Sequence, residues 1–477
     1  MDSPATQWRI ERADRFSVIV DAEHYFRVAR RAMLEARQRI VLVGWDFDAR
    51  IVLDHDCAQD EGPKTVGAFI YWLVERNPQL EVYLLRWDIG AIKALFRGTT
   101  ILTVLKWMRH PRITTKLDGH HPAGASHHQK VVVIDDCLAF CGGIDMTSDR
   151  WDTRGHLDDD PGRVQPSGKP YKPWHDATTA VTGPAAAALG DMARERWQVA
   201  GGKPLMPVTG AEPCWPDGLD VDFEGISVRI ARTIPEMAGQ ATAHESEALF
   251  LAQIAAARRC VYIESQYFAS RRIAEAIARR LDEADGPEFV VVNPENAQGW
   301  LEPIAMDTAR ARLVEALRRR DCHGRFRLYH PFTGAGTPIY AHAKILIADD
   351  DVLRLGSSNM NNRSLRLDTE CDLAIEARDE GDRARIAAIR DDLLAEHLGL
   401  PIERVSDAIR DTGSLIAAIE ALRGDGRSLR PYEQPDLNAV ETWLADHEVL
   451  DPEGPEEMFE ALSARGLFRR RLRKPKA

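Results

Sequence analysis

Two short strings carry most of the chemical promise of this 477-residue chain: His128, Lys130 and Asp135, then His342, Lys344 and Asp349, each in the spacing H-x-K-x4-D. The agreement runs on downstream. Gly142 and Gly356 each follow their histidine by 14 residues, and Asp145 and Asn359 each follow by 17. One such string arises by chance, whereas two with matched surroundings point to a site. On an extended strand, His128 and Lys130 share a face about 6.6 Å apart, so an imidazole and an ammonium can reach one small anion. A neutral imidazole can attack the phosphorus of a phosphodiester and divide one hard displacement into two. A second imidazole can protonate the leaving alcohol and then activate water or another alcohol. Two lysines place charge at the non-bridging oxygens. This scheme needs no Asp/Glu/His set with metal-ligand spacing, so the expectation is catalysis without metal or cofactor.

These residues have to be positioned by elements, and the elements are also repeated. Residues 36–47 (ARQRIVLVGWDF) can be laid over 257–268 (ARRCVYIESQYF). A period near 200 residues means a duplicated domain, not a solenoid. The β-branched run 131–134 puts the first motif on a strand, with a return strand at 139–141. Helical periodicity at 22–38, 65–75 and 101–108 alternates with strand-like runs at 39–43 and 80–85. The plan returns as helices at 246–259, 271–284 and 308–320 and strands at 261–265, 289–292 and 326–329. The fold expected is α/β: two tandem duplicated lobes, each a mixed β-sheet flanked by helices, plus a C-terminal helical extension. The boundaries expected are 1–203 for the first lobe, 204–225 for a Pro/Gly-rich linker, 226–380 for the second lobe and 381–477 for the extension. The extension shows no counterpart in the first lobe. The Pro-, Gly- and Asp-rich stretch 153–173 reads as a long loop, with a cover over the site as its functional role and an idle insertion as the alternative.

With these motifs in place, the chain resembles the phospholipase D superfamily over roughly residues 30–376. The likeness includes GGID at 142–145, RWD at 150–152, PWHD at 173–176 before Gly183-Pro184-Ala185-Ala186, YIESQYF at 262–268 and GSSNMNNRS at 356–364. The resemblance implies that His128 is the nucleophile, His342 the general acid/base, and Asp135 and Asp349 braces for the motif loops. Each histidine also needs a carboxylate to fix its tautomer. Asp176 and Glu370, each ahead of a strand-like run, suit that role, and crossing between lobes would pair Glu370 with His128 and Asp176 with His342. Asn359 can donate its amide to phosphate where the first copy has Asp145, which gives the site a preferred orientation. Ser357 or Ser358 can add a hydroxyl, and Gly142, Gly143 and Gly356 permit close backbone approach. Trp45, Trp151, Trp174 and Tyr267 suit either a lipid groove or core packing. His120, His121 and His127 have no partner in the second copy and read as surface or loop residues.

The resemblance implies cleavage of the head group from a glycerophospholipid, with transphosphatidylation open to the same intermediate. A cardiolipin synthase-like phosphatidyltransferase is the second reading, weakened by the lack of N-terminal membrane helices. A nuclease or other phosphodiesterase comes third, since single-motif nucleases dimerise and tyrosyl-DNA phosphodiesterases lack the motif Asp. A catalytically dead lipid-binding scaffold is disfavoured, because both histidines and both lysines are present. A net charge of −12 argues against a nucleic-acid-coating surface. Seven cysteines without CxxC pairs read as reduced thiols, and no signal-like segment opens the chain. The expected location is cytoplasmic, with peripheral membrane contact open to the basic tail 467–477 at about 1 kcal/mol per charge, and signal-less export also open. Two motifs in one chain make a monomer sufficient for one site.

Overall fold

The computed structural model describes residues 4–88, 100–122, 124–211, 215–237, 239–297 and 306–435. The basic tail lies outside these residues. The first half runs β1 (Arg9–Val20), α1 (Ala22–Leu34), β2 (Arg39–Gly44), α2 (Val66–Arg76), β3 (Glu81–Trp87), α3 (Thr100–Met108) and β4 (Ile113–Asp118). It continues through β5 (Val131–Ile134), β6 (Leu138–Gly142), β7 (Trp174–His175), β8 (Ala177–Thr182) and α4 (Pro184–Val199). The second half repeats the plan with β9 (Phe223–Ile234), β10 (Ala243–His244), α5 (Glu245–Ala256), β11 (Cys260–Glu264), α6 (Arg271–Leu281), β12 (Glu288–Val292), α7 (Thr308–Arg320) and β13 (Phe326–Phe332). Then follow β14 (Tyr340–Ala341), β15 (Ile345–Ala348), β16 (Val352–Gly356), β17 (Glu370–Glu376), α8 (Glu380–Leu398), α9 (Ile402–Thr412), α10 (Leu415–Leu422) and β18 (Ser428–Pro431).

The halves do not keep separate sheets, as their sequences suggested. The strands form one sheet in the order β18-β13-β12-β11-β15-β16-β17-β9-β1-β8-β6-β5-β2-β3-β4, with β10 on β9. Its midpoint is the antiparallel pair β1–β9, in register from Arg9↔Ile230 to Phe16↔Phe223. Read outward from there, β1-β8-β6-β5-β2-β3-β4 matches β9-β17-β16-β15-β11-β12-β13 strand for strand. Two long strands, each bearing an unpaired row of N–H and C=O groups, cap each other's edges.

Both faces are covered. Buried residues of α1, α2 and α3 pack on one face of the first half, and those of α5, α6 and α7 on the second. On the opposite face one apolar core runs across the junction beneath α4 and the α8–α10 group. The apolar strands VVVI of β5 and ILIA of β15 are buried along their whole length, as strands covered on both faces must be.

One sequence expectation is corrected here. Helix α8 is not an extension without a counterpart. It leaves β17 as α4 leaves β8, and Arg390 of α8 pairs with Asp350 as Arg194 of α4 pairs with Asp136. The long stretch 153–173 between the first motif and β7 shifts the spacing and hid this match. That stretch is a long loop, as read, and it is tied down by its own contacts: Arg163 is buried and bonds Asp152 and the carbonyls of Leu157, Asp158 and Tyr171.

Candidate active site

The motif aspartates act at the hairpin turns. Asp135 and Asp136 have φ of 48° and 54°, and Asp349 and Asp350 have 56° and 65°, the left-handed region that Asp enters more readily than most residues. Asp135 accepts backbone N–H bonds from Arg37, Gln38 and Arg39 at 2.6–2.8 Å. Asp349 does the same for Arg258, Arg259 and Cys260 at 2.6–2.9 Å. Each carboxylate thus ties its hairpin to the start of the neighbouring strand, β2 or β11, and faces away from the histidines.

The histidines and lysines sit just ahead of β5 and β15, not on those strands. What holds them is a short parallel link to the other half. His127 bridges Thr369, and the His128 N–H donates to the Thr369 carbonyl at 3.0 Å. By the same geometry β14 pairs with β7, and the His342 N–H donates to the His175 carbonyl at 2.7 Å. The next residues after Thr369 and His175 are Glu370 and Asp176. The structure therefore places Glu370 Oε1 and Oε2 3.0 Å from His128 Nδ1, and Asp176 Oδ2 2.6 Å from His342 Nδ1. Each imidazole is oriented by a carboxylate from the opposite half, which leaves Nε2 for a substrate. The side chains of His128 and His342 keep 14% and 6% of their surface exposed.

The two pairs differ electrostatically. Burial, then Lys130 and Lys344, push the His128 imidazole well below its usual range. Burial and Lys344 do the same to His342, against the pull of Asp176. Burial would raise Asp176, but His342 and Lys344 overcome it and hold the carboxyl at about 2. Burial wins at Glu370, which is pushed well above the usual carboxylate range despite Lys130. The Lys344 ammonium is pushed down to about 7 by burial, with Asp176 opposing. That Lys344 acts on His128, and Lys130 on Lys344, shows that the two motifs share one electrostatic environment.

The remaining sequence candidates fall as follows. Lys130 Nζ lies 3.2 Å from Asp145 Oδ2, and Asp145 Oδ1 accepts the Trp45 N–H at 3.0 Å. Asn359 donates its amide to Gln266 at 3.5 Å, and among the described residues its Oδ1 has no hydrogen-bond partner. The serine hydroxyls are not poised for phosphate. Ser357 donates to Glu370 at 2.5 Å and Ser358 to Asp372 at 2.6 Å, because buried carboxylates beside them need donors. Gly143 and Gly356 let neighbouring carboxylates approach closely: a Cβ at Gly143 would collide with Asp176, and one at Gly356 with Asp372. His127 is fully buried, contrary to the surface reading, with Nδ1 2.5 Å from Thr369 Oγ1.

Aromatic rings flank both histidines. Trp45 stands edge-on to His128 and stacks on Trp87, while Trp174 stacks on Tyr340 and tilts against His342 at 5.0 Å. Arg150 lies 4.2 Å over Trp174 and acts on both His342 and Lys344. Arg150 and Tyr340 were missed as site residues, although RWD had marked the neighbourhood of the first. Trp151 packs instead against His55, and Tyr267 bonds Gln266.

Residues 32–274 match the family model described as Phospholipase D, and residues 250–387 match the one described as Cardiolipin synthase, PLD-like domain. The first match alone spans half of the chain, and the chain belongs to the phospholipase D family. Phospholipase D A of Dictyostelium discoideum is 24% identical over 472 residues, covering 82% of this chain and 35% of that protein. Phospholipase D alpha 1 of Vigna unguiculata is 23% identical over 512 residues, covering 77% and 63%. The chain thus spans between about a third and two-thirds of the length of these relatives. Phosphatidylserine synthase of Haemophilus influenzae Rd KW20 shares the fold, with a TM-score of 0.55 at 14% identity over 87% of this chain and 96% of that structure. Among the described residues no helix is long and apolar enough to cross a membrane.

Proposed function

We propose that the protein is a phospholipase D-type phosphodiesterase that removes the head group of a glycerophospholipid through a phosphohistidine. The observation that carries this is the crossed pairing of His128 with Glu370 and His342 with Asp176 around two lysines. His128, neutral when the site is empty, attacks phosphorus through Nε2. The bond to the head-group oxygen breaks, and that oxygen takes a proton from His342. An anionic phosphodiester entering between Lys130 and Lys344 supplies the negative charge that lets His342, beside ionised Asp176, carry that proton. In the second half-reaction His342 accepts a proton from water, the new P–O bond forms, and the P–Nε2 bond breaks to release phosphatidate. With an alcohol in place of water the same step is transphosphatidylation. The match of residues 250–387 to a cardiolipin synthase-type domain favours that transfer as the second reading.

The test is incubation of the purified chain with vesicles of phosphatidylcholine or phosphatidylglycerol, with ethanol as a competing acceptor, and separately with single-stranded DNA. Head-group release together with phosphatidylethanol is expected. His128→Ala and His342→Ala should each lower turnover at least about a thousandfold, and acid-labile phosphate should label the wild type but not His128→Ala. Cleaved DNA beside intact lipid rejects the lipid substrate, and near-normal rates in either variant reject the mechanism.

A further inference from the structure

Directly behind Asp176, and separate from both motif histidines, lies a second cluster of ionisable groups that the phosphodiesterase scheme does not use. Asp21, His156, His175 and Glu396 come from the start of α1, the 153–173 stretch, β7 and α8, and all four are buried. One ligand atom from each lies within 4.8 Å of all the others. Glu396 Oε1 is 2.6 Å from His175 Nδ1 and 3.0 Å from His156 Nε2. Asp21 Oδ1 is 3.4 Å from His175 Nδ1, and Asp21 Oδ2 is 3.7 Å from His156 Nε2. In a tetrahedral site with bonds of about 2.0–2.1 Å, neighbouring ligand atoms stand about 3.3 Å apart, which is the middle of this range.

Three further observations point to a cation. First, Asp21 Oδ2 is buried and accepts no hydrogen bond from any described residue, so one carboxylate oxygen aimed at the cluster has only the 3.7 Å contact to His156. Second, the ring nitrogens turned away from the centre are engaged by carboxylates: His156 Nδ1 is 2.9 Å from Asp152, and His175 Nε2 is 2.7 Å from Glu264. Carboxylate–histidine–metal relays have this form, the outer carboxylate fixing the tautomer so that the inner nitrogen presents its lone pair. Third, carboxylates crowd the cluster. Of the four buried carboxylates, Asp152 has Arg163 and Glu396 has Arg154, while Asp21 has the two imidazoles and the Asp176 N–H, and Glu264 has His175, His397 and the Tyr262 hydroxyl. Buried negative charge of this density must be neutralised; protonated imidazoles can do so, and a divalent ion between neutral imidazoles does so in their place.

We propose that Asp21, His156, His175 and Glu396 bind one divalent transition-metal ion of the zinc type in a closed, four-ligand structural site. Two imidazole nitrogens exclude the hard oxygen-seeking cations Ca2+ and Mg2+. Four protein ligands leave no open position for water or substrate, so the ion is structural, not catalytic. It joins β7 to α8 across the two halves and fixes the residue just before Asp176, so it holds the acid/base pair from behind. This holds whichever phosphodiester the motif histidines act on.

The experiment is metal analysis of the purified full chain by mass spectrometry, followed by chelation and titration with Co2+ read by its visible absorption. One ion per chain, or uptake of one Co2+ per stripped chain with a ligand-field band, is expected, and the bound ion should raise the melting temperature. His156→Gln and Asp21→Asn should each lose at least nine-tenths of the binding, and His128→Asn should keep it. Should those variants fail to fold, the wild-type stoichiometry and absorption decide alone. A wild type that neither carries nor takes up one transition ion overturns the site and leaves an ion-pair network. So does uptake that is unchanged in a folded His156→Gln, Asp21→Asn double variant.

Discussion

At the residue scale, Asp176 and Glu370 hold the same position in the two halves yet their carboxyl pKa values are shifted in opposite directions. Asp176 is held as an anion at about 2 against its burial, whereas burial pushes Glu370 up. An imidazole beside a firmly ionised carboxylate is the better proton carrier, which favours His342 as the acid and His128 as the nucleophile. Asp176→Asn should therefore lower kcat by roughly 10^3–10^4, by presenting the wrong partner to His342 Nδ1, with little change in KM. A matching rise in KM with kcat intact would assign Asp176 to binding. Lys344 offers a pH test. Its folded value, about 7, lies below its ordinary 10.5, so the sign is that of a buried cation. Below pH 7 both states hold the proton and folding bears the full cost of burying it. As pH rises from 7 toward 10.5, the native state has released the proton and the cost fades. Lys344→Met should raise the melting temperature most at pH 6 and least at pH 9, and the reverse trend would reject the buried charge. The two carboxylates could be found in the sequence because each precedes a strand-like run. The serines could not be placed, because their hydroxyl directions are set by Glu370 and Asp372, buried next to them by the fold.

At the element scale, the site depends on two hairpins and two very short parallel links. Asp135→Ala removes three charge-assisted backbone bonds and puts Ala in a left-handed conformation, so it should cost about 3 kcal/mol in urea unfolding. Asp135→Asn should cost less, because Asn tolerates that φ and keeps one acceptor. Equal losses would mean that the carboxylate, not the turn geometry, is what matters. The long helices and the all-apolar strands could be read from periodicity, and α7 begins and ends where its pattern does, Thr308–Arg320. The two-residue strands β7 and β14 left no such trace, since Trp174-His175 and Tyr340-Ala341 are too short to show a period. The equivalence of α4 and α8 stayed hidden because the 153–173 stretch shifts the spacing, and because their shared contact, an arginine on the second aspartate of a hairpin turn, is long-range.

At the scale of the whole molecule, the central β1–β9 pair and the apolar core beneath α4 and α8 make the halves one cooperative body. Calorimetry should show a single unfolding transition whose calorimetric and van't Hoff enthalpies agree. Two resolved peaks would show that the halves are separable. The crossed pairing has an evolutionary corollary. Were each half a free protein, it would meet a twin across the β1 edge, and the twofold would make both histidines identical, each with the same carboxylate and the same neighbour. Covalent tandem fusion lifts that constraint: a substitution in one half is no longer copied into the other, so Asp145 can differ from Asn359, and donor and attacker can each drift toward a separate task.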